Sequence, residues 1–128
     1  MGEASEIYGE VHNSVIGSGV TIEKGAVVRD SIIMSSTTIK AGTVIDKSII
    51  AENVVIGENC KLGVGDEVPN KVKPDVYAFG LVTIGEDSVI PDNVQIGKNT
   101  AISGVTELSD YPDGVLAGGE TLIKVGDR

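Results

Sequence analysis

One histidine, His12, and one cysteine, Cys60, are all the chain offers of the residue types most used for general-base, nucleophilic and transition-metal chemistry. Acyl transfer ordinarily relies on a His to take a proton from the attacking group. A hydrase zinc needs several His ligands at once. His12 lies near the N-terminus beside Asn13. It could join a three-His site only if a threefold axis gathered three copies, and it reads as a corner or edge residue. Cys60 precedes Leu62 by two, at a spacing that other segments fill with Ser, Thr, Ala or Val. It reads as a buried small filler, and a thiol in apolar surroundings is a poor nucleophile. The glycine-rich stretches IGSG (16–19) and AGGE (117–120) match no phosphate-cradling motif between a strand and a helix. The carboxylates are spread along the chain and read as a solvated surface. The chain reads as a scaffold with no catalytic and no metal-binding residues.

The composition says what kind of scaffold. Of 128 residues, 41% are hydrophobic but only 3% aromatic, with no Trp and one Phe. The apolar content is mostly Val and Ile, which suit pleated surfaces. Seventeen Gly and four Pro supply corners. The length fits one domain. A formal net charge of −9 disfavours nucleic acid and anionic membranes as partners. No run of about 18 apolar residues is present, and the first ten residues lack the features of a signal peptide. With one cysteine, no internal disulfide can form. A cytoplasmic protein is expected.

A repeat positions these residues. Segments 14–30, 31–47 and 48–64 align without gaps at a period of 17, each as sub-repeats of six, six and five. A large aliphatic leads each sub-repeat: Ile16, Ile22, Val28, then Ile33, Ile39, Ile45, then Ile50, Ile56, Leu62. A small or short residue stands two positions earlier, from Ser14 to Cys60. Six-residue spacing resumes with Ile84, Ile90, Ile96 and Ile102. Side chains two apart on a strand face the same way, so each pair points inward together. Gly17, Gly57, Gly85 and Gly97 follow leading residues, and Gly or Asn recurs in the corners, where positive φ is expected. Three sides close one triangular coil, and stacked coils bury an aliphatic column. The predicted fold is all-β: a left-handed parallel β-helix of hexapeptide repeats, a single-stranded solenoid. Residues 1–13 form an edge with at most one degenerate coil, with Val11 inward. Coils occupy 14–64, an inserted loop 65–81, a further coil 82–103, and a turn and closing strand 104–128. The loop is expected to fold Tyr77 and Phe79 back on a flat face. Val15, Val27, Ile32, Val44, Ile49 and Val55 are expected to form one outward apolar patch. That patch predicts a homo-oligomer, with Ile32 and Ile49 buried at an interface or under the loop.

The runs GEVHNSVIGSGVTIEKGAVVRDSIIM (9–34) and IIAENVVIGENCKLG (49–63), the stretch VYAFGLVTIGE (76–86) and the closing GVLAGGETLIKVG (114–126) carry a resemblance. Together they resemble the C-terminal domain of bacterial glucose-1-phosphate adenylyltransferase (ADP-glucose pyrophosphorylase). The resemblance covers nearly the whole chain. It implies a parent nucleotidyltransferase that joins ATP and glucose 1-phosphate into ADP-glucose and diphosphate, for glycogen biosynthesis. ATP and magnesium would belong to a preceding catalytic domain with a GGxGxRLxPLT-like loop. No such loop occurs in these 128 residues, so no cofactor and no activity are expected of them alone. The implied partners are that catalytic domain, further copies of the chain, and a phosphorylated metabolite as allosteric effector. Family effectors are held by Lys and Arg. Where some members place an Arg in a corner, this chain has Glu52, and near the closing strand Gly119 and Lys124 match. Lys124 and Arg128 are the candidates for effector contact. Other readings stand beside this one: the equivalent domain of another sugar-phosphate nucleotidyltransferase, a hexapeptide-repeat acyltransferase, or a scaffold with no enzymatic parent. The shortage of His argues against the acyltransferase.

Overall fold

The computed structural model describes residues 5–65, 68, 70 and 80–123. A corner every five or six residues keeps the strands short, and backbone pairing runs between coils instead of within one. The result is three parallel sheets. The first face carries Glu6–Ile7, Thr21–Ile22, Thr38–Ile39, Val55–Ile56 and Val89–Ile90. The second carries Glu10–His12, Val27–Arg29, Val44–Asp46, Lys61–Val64, Gln95–Gly97 and Val115–Leu116. The third carries Val15–Ile16, Ile32–Ile33, Ser48–Ile50, Val82–Ile84, Thr100–Ser103 and Thr121–Ile123. The chain visits the faces in turn, so about six coils stack. The architecture is the parallel β-helix expected from the repeat.

The register places the leading residues in three columns. Ile22, Ile39, Ile56 and Ile90 stack on the first face. Val28, Ile45, Leu62 and Ile96 stack on the second. Ile16, Ile33, Ile50, Ile84 and Ile102 stack on the third. All are buried, Ile16 the most accessible at 5%.

The small inward slot does more than fill space. The Ser31 amide donates to Ser14 Oγ at 3.1 Å, and the Ser48 amide to Ser31 Oγ at 3.0 Å. The Val54 amide donates to Thr37 Oγ1 and the Cys60 amide to Thr43 Oγ1, at 3.3 and 3.2 Å. Each hydroxyl satisfies a backbone donor seventeen residues on. Buried polar groups so paired do not tax the core.

Corner glycines divide into two kinds. Positive φ falls at Gly19, Gly25, Gly42, Asn53, Asn59 and Asn93, not at Gly17, Gly57, Gly85 or Gly97. The second group is required by close approach: a Cβ on Gly57 would lie 2.7 Å from the Asp92 amide nitrogen of the next coil. The short corners bring Asn13, Asp30 and Lys47 into left-handed conformations of φ 48°, 49° and 49°. The Asp30 amide donates to His12 O and the Lys47 amide to Arg29 O, both at 3.1 Å. In the fourth coil the 65–81 excursion takes the place of that corner, leaving after Val64 and rejoining at Val82. Tyr77 and Phe79, expected on a flat face, lie outside the described residues.

Both ends differ from the repeat. Ile7 pairs with Ile22 and Val11 with Val28, so the N-terminal segment builds a coil in register. At the other end Tyr111, 2% exposed, joins the core cluster beyond the short helical turn Leu108–Asp110.

Candidate functional site: the uncharged third face

Alternation along each strand sends one row of side chains inward and its neighbours outward. On the third face the outward row reads Val15, Ile32, Ile49, Thr83, Ala101 and Thr121 in register. The residue two further along each strand is Gly17, Met34, Ala51, Gly85, Ser103 or Ile123. No charge occurs in either row, in a chain that is 23% charged. The other faces differ: the first presents Glu6, Glu23 and Lys40, the second Glu10, Arg29, Asp46 and Lys61.

The six apolar residues expected to form one patch are therefore divided. Val27 and Val44 pair on the second face, and Val55 lies on the first. A step of six residues turns a corner, which is why equal spacing does not mean one surface. Only Val15, Ile32 and Ile49 form a continuous outward ladder. Val15 is 64% exposed, Ile32 41% and Met34 40%, while Ile49 is half-buried. The far end of the same face is closed only at Ala101, and Ile123 there is 47% exposed. Ala101 faces outward in register but is 3% exposed. Beside it Asn70, from the excursion, donates to Thr121 Oγ1 at 3.2 Å.

The residues singled out for chemistry are not brought together. His12 is exposed, with Nε2 3.5 Å from Glu10 Oε1, an open contact worth little. Its register neighbours are Arg29 and then Asp46. Cys60 is fully buried, and its Sγ donates to Pro91 O at 3.1 Å. Thr43 makes the equivalent bond one coil earlier, to Gly57 O at 2.6 Å. Burial pushes the Cys60 thiol up, and the nearby Asp92 charge adds to that. Cys60 thus stands in for a hydroxyl in a structural column. Glu52 is exposed at a corner and its carbonyl accepts from the Asp87 amide at 3.1 Å. Gly119 is buried in the last coil. Lys124 and Arg128 lie outside the described residues. Among the described residues no three His, Cys, Asp or Glu side chains could share a metal ion, and no helix is long and apolar enough to cross a membrane.

Residues 9–77, more than half of the chain, match the family model described as the GMPPB C-terminal domain. The chain belongs to the GMPPB C-terminal domain family. Curated relatives of this family member narrow the likeness. Glucose-1-phosphate adenylyltransferase of Lachnospira eligens is 62% identical over 128 residues, covering all of this chain and 30% of that protein. The enzyme of the same name from Acetivibrio thermocellus is 41% identical, covering 94% of this chain and 30% of its own length. That of Thermotoga neapolitana is 50% identical over 123 residues, covering 96% and 29%. The chain spans about a third of these relatives, in their C-terminal portion. Among solved structures, the acetyltransferase domain of PglB from Neisseria gonorrhoeae FA1090 aligns at 15% identity and TM-score 0.45, over 94% of this chain and 54% of that one.

Proposed function

We propose that this chain is the C-terminal domain of a glucose-1-phosphate adenylyltransferase, and that it serves assembly and regulation, not the chemical step. The observation that carries this reading is the 62% identity over all 128 residues to 30% of a protein of that name. On this reading a preceding nucleotidyltransferase domain joins ATP and glucose 1-phosphate, with magnesium, into ADP-glucose and diphosphate for glycogen synthesis in the cytoplasm. The β-helix domain packs with that domain and with further copies through its uncharged third face. Like copies of a chain of net charge −9 repel over most of their surface. A face without charges is where they meet at least electrostatic cost, and Val15, Ile32 and Ile49 supply apolar area there. A phosphorylated metabolite is the proposed effector, with Lys124 and Arg128 as its contacts.

The test is to extend the reading frame upstream and assay the complete protein for ADP-glucose synthesis from ATP and glucose 1-phosphate. A glycine-rich nucleotide loop upstream and ADP-glucose formation by the complete protein are expected. A complete protein that has no such loop and makes no nucleotide sugar overturns the reading.

A further inference from the structure

Two sulfurs lie among the described residues, and the fold treats them oppositely. Cys60 Sγ is fully buried and bonded to Pro91 O. Met34 is 40% exposed on the third face. Its neighbours in the column leave it uncovered on both sides. Gly17 lies against it from the coil before, where a Cβ would stand 3.0 Å from Met34 C. Ala51 takes the same place in the coil after. Neither side chain exceeds one carbon, so neither can lie across the thioether. Ile32, two residues back on the same strand, is the outward apolar neighbour. The backbone beneath is held without help from the Met34 side chain. The Met34 amide donates to Ile50 O at 2.9 Å, and the Gly17 amide to Ile33 O at 2.8 Å. A change at the tip of the Met34 side chain therefore alters the face and not the coils.

We propose that Met34 is an oxidation site, and that its oxidation switches the open half of the third face from apolar to polar. A peroxide is the co-reactant. Met34 Sδ attacks one peroxide oxygen, the O–O bond breaks and an S–O bond forms. The sulfur gives up an electron pair, and the other oxygen takes up protons and leaves as water. The product, a sulfoxide, is one that thiol-dependent reductases return to the thioether. Its oxygen is a strong acceptor, and Gly17, Ile32 and Ala51 offer it no side-chain donor. A partner packed here must supply a donor or bury that oxygen unpaired. The effect on association rests on the reading that copies meet through this face. The oxidation itself does not.

Peptide mapping by mass spectrometry after hydrogen peroxide treatment reads the site and separates Met34 from Met1. Met34 is expected to oxidise in the folded chain within about fivefold of its rate in the unfolded chain, and Cys60 to stay a thiol until unfolding. Slower oxidation of Met34, or oxidation of Cys60 first, overturns the site. The oxidised chain is expected to keep the wild-type urea midpoint, and a fall overturns the separation of face from coils. Light scattering reads the switch. M34L keeps size without an oxidisable thioether, so peroxide is expected to leave its association unchanged. M34Q and the oxidised wild-type chain are expected to need at least about fivefold more protein to associate. An oligomer that I32E breaks and oxidation leaves intact overturns the switch alone. An oligomer that neither change moves, or a monomeric wild-type chain, overturns the pairing reading and the switch with it.

Discussion

The Tyr111 hydroxyl lies 2.7 Å from Thr106 Oγ1, inside the apolar end of the prism. Thr106 has one hydroxyl proton, and Val89 O, 2.6 Å away, can only accept it. Tyr111 is therefore the donor in its own pair, and the phenol must keep its proton. Burial pushes it up to about 12 from its usual 10, with the Asp110 charge adding. The folded state thus holds this proton more tightly than the unfolded chain. Its contribution to stability is complete below pH about 10 and is lost as pH rises from about 10 to about 12. Urea midpoints are expected to fall across that window. Y111F removes the titration, and its midpoint is expected to fall less steeply there. An equal fall in both proteins rules out Tyr111 as the cause.

Ile39 is fully buried between Ile22 and Ile56. Coils above and below hold the backbone, so the site collapses little when emptied. I39A is expected to lose about 2–5 kcal/mol in chemical denaturation. A loss below about 0.5 kcal/mol, the level of an ordinary surface change, contradicts the packing described.

Cys60 is expected to resist thiol reagents in the folded chain and to react once denaturant unfolds it. Two causes act together: no solvent path reaches Sγ, and burial disfavours the thiolate. C60S keeps a donor for Pro91 O, whereas C60V leaves that carbonyl unpaired. C60S is expected to be the more stable of the two in thermal melts, and the reverse order refutes the bond's role.

Ile32 stands at the centre of the open ladder, between Val15 and Ile49. I32E places a charge on the uncharged face at an exposed position, where folding stability is expected to move by about 0.5 kcal/mol or less. If copies pair through this face, light scattering at micromolar concentration shows an oligomer for the wild-type chain and a smaller species for I32E. An oligomer that I32E leaves intact places the contact elsewhere.

The 128-residue chain alone is expected to form no ADP-glucose from ATP and glucose 1-phosphate and to transfer no acyl group from an acyl-CoA. It offers one exposed His, one buried Cys and no nucleotide loop. Either activity in pure protein overturns this expectation.

The interior was legible because the inward pair recurs at a fixed count. Where the count broke, it misled. Ile7 precedes Val11 by four, not six, so the first coil was read only as a degenerate one with Val11 inward, and Ile7 was missed. The reason is Gly9: a Cβ there would lie 2.8 Å from Glu23 O, and without it the chain cuts the corner short. Counting six past Ile102 lands on Leu108, which is 57% exposed, while Tyr111 is buried instead. The first face ends there while Val115–Leu116 and Thr121–Ile123 continue the other two, and an aromatic plug follows no period. The hydrogen bonds of Asn99, which donates to Val68 O and accepts from the Gly80 amide, were invisible for another reason. Its partners Val68, Asn70 and Gly80 come from a segment without repeat, so nothing in the spacing links them. The outward rows could be listed from sequence, but not assigned to faces until the corners were known.

Ser14, Ser31 and Ser48 fasten each coil to the next at an interval of seventeen residues. Because these hydroxyls wait for an amide at that one interval, the coils of 14–64 behave as interchangeable modules. Removing residues 31–47 would set Ser48 over Ser14 and Ile50 over Ile16, like onto like. The length of the domain is therefore graduated, in marks of about 4.8 Å, one strand spacing each. A chain built this way is a ruler: its lineage can adjust the distance between its two ends only by whole graduations.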